Sequence, residues 1–255
     1  MNKLSVVIIT FNEEANIGRC IDSIHSIADE IFVVDSFSTD RTVDIAVQKG
    51  ARVMQNEFEG HIQQKNWARL KAQHDWILSI DADEYVSDEL LASLKEWKRG
   101  SLTYCNGYYI NRLNFYCGTA IRTCGLYPDK KLRLWRRKWG EWSGINPHDK
   151  FVLKFDMDAH SPIRLEGDII HNTWPTHAAF LQQIEKFATI GARHLKGKNI
   201  FYLITKMTFS PVFKFIRNYF FYLGFTDGKV GFIICFNQSR EVFLKYFRAI
   251  KFKYA

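Results

Sequence analysis

Ile77-Leu78-Ser79-Ile80-Asp81-Ala82-Asp83-Glu84 is an apolar run that stops abruptly at two carboxylates one residue apart. Read as a buried strand, it delivers its last residues to the open end of a parallel sheet, where ligands commonly bind. Alternation relaxes at such a terminus, so Asp81 and Asp83 can share a divalent cation and the phosphates it carries. An Asp-x-Asp pair alone equally suits a helix cap or a turn, and the surrounding sequence has to decide.

Working outward, Leu4–Thr10 is another apolar run and passes through Phe11-Asn12-Glu13-Glu14 into helical spacing at Ile17, Cys20, Ile21 and Ile24. Glu30–Asp35 is a second such run, followed by a polar turn with Ser36, Ser38, Thr39 and Asp40 and a helix containing Ile45 and Ala46. Ala51–Met54 reads as a short third strand and the segment from Gly60 to Ala72 as a third helix. This alternation predicts right-handed crossovers and a parallel sheet covered on both faces, an α/β fold with Thr10, Asp35 and Asp81 at strand carboxyl ends.

These pieces, in this order, resemble the inverting glycosyltransferases of family 2. The resemblance rests on Ser5–Glu13, Val33-Val34-Asp35-Ser36 with Asp40-Arg41-Thr42, Gln64-Lys65-Asn66, and Trp76–Glu84. Leu132–Arg137, Asn146-Pro147-His148-Asp149-Lys150 and Ile169-Ile170-His171 look more narrowly like the lipopolysaccharide-core glucosyltransferase branch. The resemblance implies a GT-A nucleotide-diphospho-sugar transferase fold with a mixed, mainly parallel central sheet and a C-terminal amphipathic helical appendage. The expected division is a catalytic domain over 1–195, with a nucleotide-binding half to about residue 100 and an acceptor-binding half after it, and a tail over 196–255.

Composition sets limits on the remainder. A chain of 255 residues with 47% hydrophobic content supports a large core. The first apolar run is short and ends in Asn12 and two glutamates, unlike a secretory signal, so a cytoplasmic site of action is expected. Five cysteines without Cys-x-x-Cys spacing favour neither a zinc site nor a disulfide framework; Cys117 and Cys124 are read as reduced thiols that could pair if oxidised.

Charge is unevenly placed: residues 196–255 hold 11 Lys and Arg against Asp227 and Glu241, whereas the rest of the chain is close to neutral. The same tail carries 17 of the 39 aromatics, with Pro211, Lys214 and Arg217 interrupting its apolar runs. This pattern suits helices lying in an anionic membrane interface on the cytoplasmic face of the inner membrane, with a helical lid as the alternative. Nucleic-acid binding is not expected, since no recognisable motif accompanies the basic region and the acidic site would repel a phosphate backbone. Gly224, Gly228 and Gly231 read as a turn between two helices; the order of a phosphate loop is absent.

The resemblance also assigns chemistry. Thr10, Asn12, Glu13, Asp35, Lys65 and Asp81 are expected around the nucleotide-sugar donor, UDP-glucose or a close relative. Asn12 could instead cap the first helix, and Lys65 could occupy a solvated face. Asp81 and Asp83 are expected to hold Mg2+ or Mn2+ against the leaving diphosphate, with His171 as a further contact. Asp149 matches the position of the base that takes the acceptor proton, and His148 is the alternative. The strand through Leu132, Leu134 and Trp135 carries Lys130, Lys131, Arg133 and Arg136; it reads either as a charged edge strand or as an acceptor-anion surface, with Trp135, Trp139 and Trp142 as sugar-stacking candidates. The implied acceptor is a lipid-linked glycan, the lipopolysaccharide inner core. Another lipid-linked glycan, a protein acceptor, or a catalytically silent nucleotide-sugar-binding scaffold are the alternatives.

Overall fold

Four short runs form the parallel part of a sheet, and three of them, β1, β2 and β4, are apolar and buried on both faces. In the computed structural model, which describes residues 2–100, 105, 107–146, 148–154 and 162–254 and leaves the His148 side chain outside, the four are β1 (Leu4–Thr10), β2 (Glu30–Asp35), β3 (Arg52–Gln55) and β4 (Trp76–Asp81). Helices α1 (Ile17–Ile24), α2 (Thr42–Gln48) and α3 (His61–Lys71) connect them in turn. Alternation along β1 sorts the core: Leu4, Val6 and Ile8 pack in one apolar cluster with α1, while Val7 packs in another with Ala68 of α3. Strand β1 pairs in parallel with β2 and β4, setting Thr10 beside Asp35 and Ile9 beside Asp81. The three expected strand-end residues therefore stand side by side.

After β4 come β5 (Glu84–Val86), α4 (Asp88–Arg99), β6 (Gly107–Tyr116), β7 (Thr119–Ile121), β8 (Asp129–Arg136), β9 (Gly140–Ile145), β10 (His148–Leu153) and β11 (Ile163–Trp174). Ser87 caps α4 by accepting from the Leu90 amide at 3.2 Å, and Gly100 ends it in the left-handed region. The chain forms two compact units, Met1–Arg112 with Asp129–His171, and Leu113–Pro128 with Asn172–Ala255. Along the sheet the order is β3-β2-β1-β4-β8-β6-β11-β5, and the last residues of β6 and β11 belong to the second unit. Antiparallel pairing enters at β4–β8 and continues at β8–β6 and β11–β5, giving the expected mixed α/β sheet. Strand β8 is thus interior. The charged-edge reading fails because Leu132, Arg133, Leu134 and Trp135 are all buried between β4 and β6.

In the second unit, β7 pairs with the end of β6, and helices α5 (His177–Arg193), α6 (Ile200–Ile216) and α7 (Gly228–Tyr254) follow. Tyr116, Trp174, Phe180, Ile184, Ile234 and Cys235 form one core there, and Leu203, Tyr246 and Ala249 a second. Pro211 inside α6 leaves no amide to bond, and its carbonyl accepts from Ser239 of α7 at 2.7 Å. A π-helical turn at Arg217–Phe221 and a 3-10 turn at Gly224–Asp227 join α6 to α7; of the three glycines only Gly224 lies in the turn, while Gly228 begins α7 and Gly231 lies inside it. By compactness, α5 and Leu113–Pro128 group with the later helices, a partition that differs from the linear division expected after residue 195.

Candidate functional site

The carboxyl ends of β1, β2 and β4 gather most of the expected residues. Thr10 is buried, and among the described residues its hydroxyl has no partner. Asn12 adopts a left-handed φ of 53°. Its side-chain oxygen accepts from the Thr39 amide at 2.8 Å, while its own amide donates to Ser38 Oγ at 2.8 Å. It therefore clasps the two βα loops and is not the cap of α1, where Asn16 occupies the cap position. Glu13 donates its amide to Thr42 Oγ1 at 2.7 Å, and its carboxylate accepts from Asn16 at 2.7 Å. Burial raises the Glu13 carboxyl above its ordinary value; the Asn16 bond lowers it, while Asp83 and Asp40 add to the rise. Asp35 is fully buried and accepts from Ser38 Oγ at 2.5 Å and the Ser38 amide at 2.9 Å. It holds the polar turn that follows β2.

The two carboxylates at the end of β4 and in the turn after it have different company. Asp81 Oδ1 faces Lys65 Nζ at 3.1 Å in an ion pair without hydrogen-bond geometry, and Oδ2 accepts from Arg133 at 3.3 Å. Desolvation would raise the Asp81 carboxyl, but the adjacent Lys65 and Arg133 hold it well below the usual carboxylate range. Asp83 instead lies 3.0 Å from His171 Nε2, with side-chain exposures of 35% and 15%. Pairing of β11 with β5 supplies this contact, because it sets His171 directly opposite Glu84.

Lys65, expected at the nucleotide, stands between Asp81 and Asp149, donating to Asp149 Oδ2 at 3.0 Å. Its ammonium also lies 4.5 Å from the centre of the Trp142 ring. Asp149 sits on β10, which pairs antiparallel with β9 and sets it opposite Gly144. Helix α3 fixes this hairpin at several points. Asn66 donates to the Trp142 carbonyl at 2.8 Å and accepts from the Trp142 amide at 3.0 Å. Asn146 accepts from the Ile62 amide at 3.0 Å and donates to Gln63 at 3.0 Å. Gly60 permits the approach: its φ is 143°, and a Cβ there would lie 2.2 Å from Asn146 Nδ2. The His148 side chain lies outside the described residues, as does Pro147.

One component escaped the sequence reading. Arg133, 3% exposed, bonds Glu84 at 2.8 Å as well as Asp81. Arg112 adds a contact to Glu84 at 3.7 Å and one to Asp129 at 2.9 Å. The signal was an arginine between two leucines in an apolar strand, which requires a buried acid opposite it. Trp135 and Trp142, offered as sugar-stacking surfaces, are core residues 5.5 Å apart and both pack on Phe151.

Thus the Asp83–His171 pair, with Asp83 partly exposed, accompanies a compensated carboxylate, Asp81, which shares Lys65 with a third carboxylate, Asp149. Among the described residues no three His, Cys, Asp or Glu side chains come together as a metal-ligating group.

The family model described as Glycosyl transferase family 2 matches residues 5–160. The uncharacterised glycosyltransferase RT0209 of Rickettsia typhi is 35% identical over 264 residues, covering 99% of this chain and 89% of that protein. The lipopolysaccharide core biosynthesis glycosyltransferase LpsC of Rhizobium meliloti is 26% identical over 256 residues, covering 95% and 93%. Among solved structures, glucosyl-3-phosphoglycerate synthase of Mycobacterium tuberculosis, in complex with Mn2+, UDP and glucosyl-3-phosphoglycerate, gives a TM-score of 0.48 at 20% identity, covering 75% of this chain and 80% of that one.

Proposed function

From the premise that the chain belongs to glycosyltransferase family 2, we propose that it is an inverting, metal-dependent transferase moving glucose from UDP-glucose to a lipid-linked lipopolysaccharide inner-core acceptor. The observation that carries this reading is the Lys65 bridge between Asp81 and Asp149, with Asp83 and His171 beside it.

The residues suit a divalent cation. Asp83 offers a hard, partly exposed oxygen from the turn between β4 and β5, and His171 an imidazole nitrogen from within β11. Asp81 is less free to join them, since Lys65 and Arg133 already face its two oxygens. Mg2+ or Mn2+, when bound, supplies Lewis-acid neutralisation of the charge on the departing diphosphate.

This chain's own groups do the remainder. Thr10 places an unpartnered buried hydroxyl at the end of β1, where a nucleotide can satisfy it. Asn12 and Asp35 hold the two loops beside it in shape. Asp149 Oδ2 accepts the proton of the acceptor hydroxyl as that oxygen attacks the anomeric carbon opposite the diphosphate. Lys65 positions Asp149 and provides positive charge between the base and the donor site. The acceptor assignment is supported by the likeness to LpsC along nearly the whole chain.

The test is incubation with radiolabelled UDP-glucose, Mn2+ and purified inner-core lipopolysaccharide. Label in the acceptor, lost on chelation, is the expected result. Absence of both transfer and donor hydrolysis with UDP-glucose would overturn the donor assignment, and transfer to a different acceptor would overturn the lipopolysaccharide assignment.

A further inference from the structure

The turn joining α6 to α7 presents a block of apolar side chains to solvent. Phe220, Phe221, Tyr222, Leu223 and Phe225 are between 47% and 76% exposed. Phe209 and Phe213 extend this surface along α6.

The backbone of this turn is braced at several points. The Tyr222 carbonyl accepts from the Cys124 amide at 3.0 Å. The Tyr222 ring fills the space over Gly125, where a Cβ would meet it at 2.6 Å. Thr123 donates to Asp227 at 2.5 Å, anchoring the far end of the turn. Gly224 is wedged so tightly that a Cβ would lie 2.7 Å from Cys235 Sγ. Leu223 takes a left-handed φ of 54°, a strained conformation for a leucine.

Charge selects the occupant. Residues 196–255 hold 11 basic side chains and two acids, Asp227 and Glu241; Arg240 and Arg248 are paired with Glu185, and a basic excess remains. Arg217 and Lys229 flank the block. Among the described residues no single helix is long and apolar enough to cross a bilayer; Ile200–Phe221 and Gly224–Tyr254 have the length and composition only together, and they are bent by 74°. An exposed apolar turn flanked by Arg217 and Lys229 in a basic segment matches a shallow insertion into anionic lipid.

We infer that the α6–α7 turn is a preformed wedge that inserts into the interface of an anionic bilayer without crossing it. Insertion takes the aromatic rings into the acyl boundary while Arg217, Lys229 and the lysines of the two helices remain among the headgroups. This inference stands independently of which sugar or acceptor the first unit handles.

Flotation of the full chain with vesicles of phosphatidylcholine and phosphatidylglycerol, about 7:3, tests it against phosphatidylcholine alone. Wild type should float with the anionic vesicles and be released by high salt. Phe220→Ser with Phe221→Ser should weaken the partition at least about tenfold while thermal unfolding remains cooperative. Phe221→Trp, at a side chain already 76% exposed, keeps the test valid should the double variant fold poorly. Its indole fluorescence should shift to the blue on addition of anionic vesicles. Failure of wild type to float, or emission from the Phe221→Trp variant that does not shift when vesicles are added, would overturn the inference. So would a concentration-dependent dimer dissolved by the serine substitutions without any flotation, which would give the surface to a second copy.

Discussion

The two ends of the β1–β2–β4 sheet both hold buried charge, and they are built to opposite standards. At the amino end, Glu30 is saturated: Arg52 reaches it at 2.6 and 2.9 Å, the Gln73 amide donates at 2.8 Å, and Ser5 Oγ donates as well. Ser5 in turn accepts from the His74 amide at 3.0 Å. Nearby, Asp29 gathers Lys3, Lys98 and the Leu4 amide. At the carboxyl end, Asp83 meets His171 through one oxygen and stays partly open to solvent, Thr10 has an idle hydroxyl, and Lys65 divides itself between two carboxylates. A charge that closes its own hydrogen bonds serves the fold, whereas one left short of partners is prepared for a ligand.

The largest effect expected from this contrast is on stability at the closed end. Glu30→Ala leaves Arg52 and the Gln73 amide without their acceptor and should cost about 3 kcal/mol in chemical denaturation. An unchanged midpoint would show that the amino end is no more structural than the other. Next, Asp149→Asn should reduce transfer about 100-fold or more while UDP affinity stays nearly intact, the split expected of a base. Survival of activity in this variant, with loss in His148→Ala, would move the base to its neighbour. Asp83→Asn should then weaken Mn2+-dependent UDP binding by about tenfold, with unfolding changed by less than about 0.5 kcal/mol. Calorimetry giving equal affinities would remove Asp83 from the metal site.

The smallest effect is a pH dependence at the closed end. Desolvation pushes the Asp29 carboxyl up, but Lys98, Lys3 and the Leu4 amide outweigh it and hold the group well below its ordinary value. A depressed folded-state pKa means the contribution is complete above the unfolded value of about 3.9 and fades as pH falls through it toward the folded one. Asp29→Asn should therefore lose about 1 kcal/mol at neutral pH and flatten the acid limb of the stability curve. Parallel acid limbs in wild type and variant would exclude this role.

The parallel part of the sheet was legible because runs such as Leu4–Thr10 and Glu30–Asp35 are apolar on both faces and end at polar turns. Asp81 and Asp83 were legible for the same reason, as the residues at which an apolar run stops. What could not be read was partnership. The placement of Arg133 on Asp81 depends on β8 pairing antiparallel with β4, with Leu134 opposite Leu78, a long-range register that neither strand encodes alone. The same holds for Lys65 and Asp149, 84 positions apart and brought together by a helix docked on a hairpin. The alternating Lys and Arg of β8 suggested a solvated face, but cover on both sides of an interior strand took Arg133 into the core.

The clasp at the start of α3 sets a constraint on length. Asn146 grips the first turn at Ile62 and Gln63, while Asn66, one turn on, grips the Trp142 backbone, and Lys65 points between them at Asp149. A residue inserted or deleted between Gln63 and Lys65 would turn the lysine about 100° around the helix axis while the grip at the first turn stayed put. The stretch works as a ruler: its solvent-facing side chains are free to vary, and its number of residues is not.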